Sequence, residues 1–242
     1  MLTIGCDFHS RFQQIAMLDE QTGEIIERQL EHETGEARTF YAALTAPALV
    51  GMEAMGYAHW FQRMLTEQRH ERWVGDAAEI RARMVRKQKT DRRDAAHLLR
   101  LLLENGFPRI WIPSSAERDL WQLLRHRFKL ICMRSSVKNQ LHALAMGQGV
   151  CRMKKLWAPA GRKELEALAL DPWANPRRRE LLEILDQLNP PIEELNQAIE
   201  LEAEKCPHAV HLMKQTGVGP VTALAFVLSS DQWRDSIRAS RQ

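Results

Sequence analysis

Short runs of apolar residues alternate with polar turns at the start of the chain, a pattern typical of β-strands. The pattern predicts strands over residues 2–7, 12–18 and about 25–30. The stretch Asp19 to Glu24, DEQTGE, has the residue types of a turn and joins the second strand to the third. Because strands with short connections pair antiparallel, the chain is expected to open as a β-meander.

Helical and strand patterns alternate after this meander. A helix is predicted near 36–45, a buried central strand over 48–53, a helix over about 57–68 and a strand around 72–74. Three antiparallel strands followed by alternating helix and strand are the element order of the ribonuclease H fold. The predicted class is therefore α/β, with a mixed sheet flanked by helices.

Two acidic residues end strands in this topology, Asp7 the first strand and Glu53 the fourth. These strands are parallel neighbours in the fold, and ligands bind outside the carboxyl ends of such strands, so the two acids are expected to meet. Asp91 and Asp94 lie three apart at the start of a helix predicted to continue through Leu102, and therefore share one helix face. Alone, this pair is explained by the helix dipole and by neighbouring arginines. Together with Asp7 and Glu53 it predicts one carboxylate site.

Four clustered carboxylates repel one another unless cations neutralise them, and Mg²⁺ prefers oxygen ligands. The predicted cofactor is therefore Mg²⁺ or Mn²⁺, expected as two ions. A pair of ions about 3.5–4 Å apart activates an attacking oxygen and stabilises the leaving oxygen of a phosphodiester. The four acids are thus candidate catalytic residues and metal ligands for cleavage or transfer of a nucleic-acid strand.

Long helices with apolar seams are predicted from about residue 114 onward. One helix, near 116–146, carries an apolar residue at every seventh position: Leu123, Leu130, Val137 and Leu144. The other, near 178–204, carries a seam in steps of four and three: Leu181, Leu185, Leu188, Ile192, Leu195 and Ile199. Pro190 and Pro191 are expected to kink or split the second helix. The seams are expected to pack on each other or on a partner chain as a coiled coil, with an irregular crossing over 147–176.

A short Gly- and Pro-rich turn, Gly217 to Pro220, precedes an apolar helical pattern that runs to Leu228. It is similar to a helix-hairpin-helix turn, in which backbone amides contact a phosphate, so Gly217 and Gly219 are candidate nucleic-acid contacts. Turns of this kind also merely join helices, and both interpretations stay open. The predicted domains are an α/β domain over 1–110, a helical coiled-coil region over 111–206 and a hairpin-containing segment over 207–242.

The net charge of +3, from 34 Lys and Arg against 31 Asp and Glu, does not by itself identify a polyanion binder. The distribution is more informative, because residues 81–100 are strongly basic. Solvated helix faces explain any single basic cluster, but several such clusters beside a carboxylate site favour phosphate contacts. The candidate contacts are Lys87, Lys89, Arg92 and Arg93. Binding is expected to be salt-sensitive and largely independent of base sequence.

The four cysteines are scattered without CxxC pairs, which suits a reducing cytoplasm better than a disulfide framework. The opening stretch MLTIGCDFHS lacks the basic and apolar regions of a secretion signal. No apolar run approaches the roughly 18 residues needed to span a membrane. The predicted location is the cytoplasm, without a membrane partner.

The acidic motifs carry a family resemblance. Gly5 to His9, Gly51 to Gly56 and Lys89 to Ala95 resemble the three acidic motifs of DEDD transposases from bacterial insertion sequences. Thr216 to Ala223 is similar to the opening of their second conserved domain. The likeness spans nearly the whole chain, and its specificity comes from four motifs in the right order with a helical insert between them.

The resemblance implies a RuvC-like nuclease domain, a coiled-coil insert that aids homo-oligomerisation, and recombination of the ends of an insertion sequence with target DNA. In some members a structured RNA guides this reaction. The resemblance also implies a nucleophilic serine well beyond the Gly217 to Pro220 turn, in a segment that this chain does not contain. We therefore expect a C-terminally truncated transposase whose metal site forms but which does not complete transposition alone.

Other protein classes share parts of this pattern. Actin-like kinases also open with an apolar strand, an Asp and a β-meander, but they need a glycine at the position that His9 occupies here. A RuvC-like junction resolvase would share the four acids but lack the helical insert and the Gly-Val-Gly-Pro turn. A truncated, non-catalytic remnant that binds nucleic acid or oligomerises stays open, because the chain ends abruptly at Gln242.

Overall fold

The computed structural model describes residues 1–84, 90–151 and 155–239. The chain forms two compact units, one built on Met1–Ile112 and the other on Pro113–Trp233. Among the helices described, none combines the length and apolar character that crossing a membrane requires. Lys87 and Lys89, two of the predicted phosphate contacts, lie outside the described residues.

A five-stranded mixed sheet organises the first unit, with the strand order β3-β2-β1-β4-β5. β1 pairs antiparallel with β2 and parallel with β4, and β5 extends the parallel side. The strands are β1 Leu2–Phe8, β2 Phe12–Asp19, β3 Ile25–Glu31, β4 Ala48–Glu53 and β5 Glu71–Gly75. The structure thus confirms the predicted α/β class, the mixed sheet and the parallel pairing of the first and fourth strands.

Helices flank the sheet: α1 Glu36–Ala42, α2 His59–Glu67, α3 Ala77–Ala82 and α4 Asp91–Leu103. Of these, α3 was not predicted. Asp76 caps it, since its carboxylate accepts the backbone N–H of Ala78 at 2.8 Å and of Glu79 at 2.9 Å. A helix this short shows no apolar period, so the cap was the only signal that the sequence carried.

Side chains of β1 alternate between the two faces of the sheet, as strand geometry requires. Ile4, Cys6 and Phe8 join the core that α1 and α2 complete with Tyr41 and Phe61. The odd-numbered positions face α4 on the other side. Because β1 is buried on both faces, its sequence is mostly apolar, and its polar residues are Thr3 and, near its end, Asp7.

Small residues in one row across the sheet allow α4 to approach closely. Gly5 pairs with Ala16 on β2 and with Gly51 on β4. A Cβ added to Gly5 would lie closer than 3.0 Å to the backbone oxygen of Ala95 and the backbone nitrogen of Leu99. The backbone of α4 therefore packs directly against the middle of the sheet, where only glycine leaves room for it.

The second unit is helical. Its elements are α5 Ser115–Gly147, a short 3-10 helix Lys155–Trp157, α6 Pro159–Ala167, α7 Ala174–Lys205, α8 Pro207–Met213 and the larger part of α9 Pro220–Ala239. A capping box starts α5, because Ser114 Oγ accepts the N–H of Glu117 at 3.2 Å and the Glu117 carboxylate accepts the N–H of Ser114 at 2.6 Å. The crossing over 147–176 was expected to be irregular but contains α6, which Pro159 begins at its first position, where a missing N–H costs nothing.

The two long helices, α5 and α7, pack on each other within the chain, through Val137, Leu141, Ala145, Leu181, Leu185, Leu188 and Ile192. On α5 the fully buried positions are Leu124, Val137, Leu141 and Ala145, and most of the predicted heptad positions are only half-buried. On α7 the predicted seam residues are buried except for Leu195, which is half-buried, and Ile192 and Ile199 are almost fully buried. The pairing of α5 with α7 therefore covers the apolar faces of both helices where these residues meet.

α7 runs without a break through Pro190 and Pro191, so of the two expected outcomes, a kink or a split, the split does not occur. Each proline removes its own N–H from the helix. Buried Leu188 and Ile192 lie on either side of the pair and hold the helix against α5. Tertiary packing thus outweighs the local preference of the two prolines.

We predict that Gly5→Ala lowers the free energy of unfolding by about 1–3 kcal/mol, because the added methyl must displace the backbone of α4. Gly56→Ala is the matched control, since a Cβ there meets nothing within 4 Å. Urea unfolding of the two variants measures the difference. Equal stability of Gly5→Ala and Gly56→Ala would contradict the close contact between α4 and the sheet.

Candidate functional site

Asp7 lies near the end of β1 and is only 9% exposed. It occupies the position two residues after Gly5, and therefore points to the same face of the sheet, toward α4. On the neighbouring strand its partner is Gln14. An ionisable side chain is thus placed at the edge of the surface against which α4 packs.

His9 follows directly after β1, in the turn to β2. Its backbone N–H donates to the carbonyl of Phe12 at 2.9 Å, and its ring lies 4.7 Å from the ring of Phe12. The ring Nε2 lies 3.0 Å from Asp7 Oδ2 and 3.7 Å from Asp91 Oδ1. The imidazole therefore stands between a carboxylate from the sheet and one from α4.

The first turn of α4 brings Asp91 and Asp94 to this site. The turn begins after Thr90, whose carbonyl accepts the N–H groups of Arg93 and Asp94 at 2.9 and 3.0 Å. The side chain of Asp91 is 47% exposed, whereas Asp94 is half-buried. Both acids therefore lie at the N-terminal, positive end of the helix dipole.

Burial raises the pKa of the Asp7 carboxyl, because an ionised carboxylate loses solvation there. The electrostatic attraction between Asp7 and His9 and the hydrogen bond between them lower the pKa of Asp7. The negative charges of Asp94 and Asp91 raise the pKa of Asp7 further. The three acids are therefore close enough to influence one another electrostatically.

A group of possible metal ligands lies at this position. One ligand atom each from Asp7, His9 and Asp91 lies within 4.8 Å of the others. Two carboxylate oxygens and an imidazole nitrogen are donors that divalent cations accept. Burying the ionised Asp7 carboxylate close to two other acids costs free energy, and a bound cation would offset that cost. The residues present thus fit a divalent cation.

Glu53 ends β4 on the neighbouring strand, but its carboxylate is not in that group. The Arg81 guanidinium on α3 donates to Glu53 Oε1 at 3.3 Å. Gly51, two residues earlier, faces Leu102 of α4, so Glu53 belongs to the same face of the sheet as Asp7. The structure therefore brings Asp7, Asp91 and Asp94 together, and places Glu53 on an adjacent strand in an ion pair.

The predicted nucleic-acid contacts that the structure describes lie on α4 and in the turn before α9. Arg92 and Arg93 are exposed in the first turn of α4, beside Asp91. Gly217 and Gly219 belong to the second unit, in an exposed turn between α8 and α9 where Gly217 has a φ of 87°. His9 was not among the site residues predicted from the sequence. The alternation of strand side chains was the available signal, since His9 is two residues beyond Asp7.

The sheet order, the flanking helices and a carboxylate pair facing a strand-borne acid define an α/β protein with a ribonuclease-H-like fold. The DEDD transposase family of the IS110 type matches residues 4–147, which is more than half of the chain, and the chain belongs to this transposase family. It is also similar to a probable family 20 transposase of Pseudomonas aeruginosa, with 25% identity over 245 residues. That similarity covers 99% of this chain and 71% of the relative. The family resemblance stated from the motifs is thereby confirmed.

We predict that Asp7→Asn makes the chain more stable at pH 7 when divalent metal is removed with a chelator. The pKa of Asp7 is raised in the folded state, so the ionised form costs stability above that pKa and costs nothing below its unfolded value of about 3.9. The gain from the variant should therefore shrink as the pH falls toward about 4. Urea unfolding at both pH values measures it.

The control is Asp119→Asn, which removes an exposed carboxylate from α5. This variant should change stability little at either pH. If Asp7→Asn were less stable than the unmodified chain at pH 7, the account of a strained, buried carboxylate would be wrong.

Proposed function

We propose that this chain catalyses divalent-metal-dependent cleavage and transfer of DNA strands as an insertion-sequence transposase. Asp7, Glu53, Asp91 and Asp94 are the proposed catalytic carboxylates and metal ligands. The observation that carries the proposal is the buried Asp7 at a strand end, facing two acids from the first turn of α4. A fold gains no stability from such a cluster of like charges, which favours a functional explanation.

The proposed cofactor is Mg²⁺ or Mn²⁺, as two ions. Bound ions of this kind neutralise the acids and stabilise the charge that develops on a phosphodiester during cleavage. Asp7 and Asp91 have ligand atoms within 4.8 Å of each other and would hold the first ion, with Asp94 beside them. The half-exposed Asp91 side chain leaves this edge of the sheet open for a phosphate.

Glu53 is proposed to complete the set by exchanging its present partner. Its ion pair with Arg81 is solvent-exposed, with the Arg81 side chain 70% accessible. Pairs of that kind contribute roughly 0–1 kcal/mol, so the cost of separating them is small. Glu53 and Asp7 share one face of two adjacent parallel strands, so a side-chain movement of Glu53 toward Asp7 is the proposed route to the site.

Arg92 and Arg93 are proposed to hold the DNA backbone close to the carboxylates. Both are exposed in the turn that carries Asp91, so a phosphate bound to either is near the site. Lys87 and Lys89 are proposed to add to this contact from the preceding segment. Gly217 and Gly219 are proposed to contact phosphate through their backbone, as in a helix-hairpin-helix turn.

The domain bounds, the nucleic-acid partners and the oligomeric state belong to the same proposal. Residues 1–110 form the RuvC-like nuclease domain, 111–206 the coiled-coil region, and 207–242 the start of the second transposase domain. The DNA partners are the ends of the insertion sequence and the target, with a guide RNA as a further partner. Homo-oligomers would form through helix surfaces that the pairing of α5 with α7 leaves exposed, among them Phe128 and Met133.

We predict that Mg²⁺- or Mn²⁺-dependent nicking of a plasmid that carries the element's ends is reduced at least about 100-fold by Asp7→Asn. Removing a residue that only supports a ligand already costs 10–100-fold in metal affinity or activity, and Asp7 is proposed as a ligand itself. Gel analysis of the plasmid measures the rate. Asp119→Asn is the control and should nick at the unmodified rate.

Metal-dependent nicking that persists in Asp7→Asn would reject the proposed site. Nicking that is equal with and without a chelator would reject its metal dependence.

We also predict that replacing Arg92 and Arg93 together by Gln weakens DNA binding for every sequence tested and lowers the dependence of binding on salt. Two lost phosphate contacts should reduce the slope of log affinity against log salt by about 2. Fluorescence anisotropy over a salt series measures this slope. A double variant with Arg28 and Arg63 replaced by Gln removes the same charge from β3 and α2 and should keep the original slope.

An unchanged slope in the Arg92 and Arg93 variant would exclude the first turn of α4 from the DNA interface.

A further inference from the structure

We propose that His9 is a nitrogen ligand of the divalent cation held by Asp7 and Asp91, and that it shifts the site's preference from Mg²⁺ toward first-row transition ions such as Mn²⁺. This inference rests on the proposed metal-dependent function and extends it to a residue outside the four acids. Mg²⁺ takes oxygen ligands almost exclusively, whereas transition ions also accept imidazole. His9 therefore bears on which cation the site selects.

The positions of the ligand atoms support a shared ion. Ligands that bind one octahedral ion at about 2.1 Å lie about 3.0 Å apart when adjacent and about 4.2 Å apart when opposite. The Nε2 atom of His9 is 3.0 Å from Asp7 Oδ2 and 3.7 Å from Asp91 Oδ1. Both separations fall within that range, and all three ligand atoms lie within 4.8 Å of one another, so side-chain adjustment would place them around one cation.

The backbone holds His9 at this position independently of the acids. Its N–H is bonded to the Phe12 carbonyl, and the Phe12 ring lies against the imidazole. The hairpin between β1 and β2 therefore fixes the direction of the side chain, and Nε2 is the ring nitrogen that faces the carboxylates. A ligand whose geometry is set in advance loses little entropy when it binds metal.

A competing explanation gives His9 only an electrostatic role, as the hydrogen-bond partner that balances the charge of Asp7. In that case the cation would be bound by oxygen alone, and the imidazole would stay outside its bonding distance. The two explanations differ in one observable property, which is direct bonding between nitrogen and the metal.

The test uses the full chain loaded with Mn²⁺ and examined by pulsed electron paramagnetic resonance, which detects ¹⁴N bonded to the ion. We expect nitrogen coupling in the unmodified chain and its loss in His9→Gln. Calorimetry should show at least about a 10-fold loss of Mn²⁺ affinity in His9→Gln, and a smaller change for Mg²⁺. The control is His32→Gln, because the His32 ring stacks on Phe8, 4.8 Å away, on the opposite face of the sheet.

The His32→Gln variant should keep both the nitrogen coupling and the Mn²⁺ affinity. Mn²⁺ bound to the unmodified chain without nitrogen coupling would overturn the role of His9 and leave the carboxylate site intact. Coupling that persists in His9→Gln would also overturn it. Failure of the unmodified chain to bind Mn²⁺ at all would overturn the proposed function together with this inference. The spectrum of the unmodified chain decides the question even if His9→Gln does not fold.

Discussion

The close packing of α4 on the sheet is the contact on which the candidate site depends. Gly5 lies in the middle of a cross-strand row of small residues, and the backbone of α4 fills the space that a side chain would need. This contact fixes both the height and the position of α4 above β1. The next face-sharing position on β1 is Asp7, and the first turn of α4 supplies Asp91 and Asp94. One steric constraint therefore sets the distances between acids that are far apart in sequence.

The electrostatics of the site oppose its stability in the absence of a cation. Burial and the two acids of α4 make the ionised form of Asp7 unfavourable, and His9 offsets only part of this effect. Such an arrangement lowers stability and persists where function requires it. Arg81 has the corresponding role for Glu53, but in a solvent-exposed pair that is easily exchanged. The protein thus holds its acids close together while two basic side chains limit the repulsion.

Strands and helices with a clear periodicity of apolar residues were predictable from the sequence. The side-chain contacts between these elements were harder to predict. The strand ends at Asp7 and Glu53 follow from the alternation of apolar runs and from the order of the elements. The short helix α3 was missed because it has less than two turns, and with it the contact between Arg81 and Glu53. His9 was visible in the motif, but its position between Asp7 and Asp91 depends on the hairpin and on α4 together. Pro190 and Pro191 were expected to kink or split α7, and packing against α5 keeps the helix unbroken.

Asp7 and the first turn of α4 are proposed to form one divalent-metal site. Anomalous diffraction from crystals of the full chain soaked in Mn²⁺ tests this most directly, because it locates the ion without any assumption about activity. We expect an anomalous peak in direct contact with the carboxylates of Asp7 and Asp91. Mn²⁺ peaks found only elsewhere on the chain, with the carboxylate of Asp7 in contact with none, would contradict it.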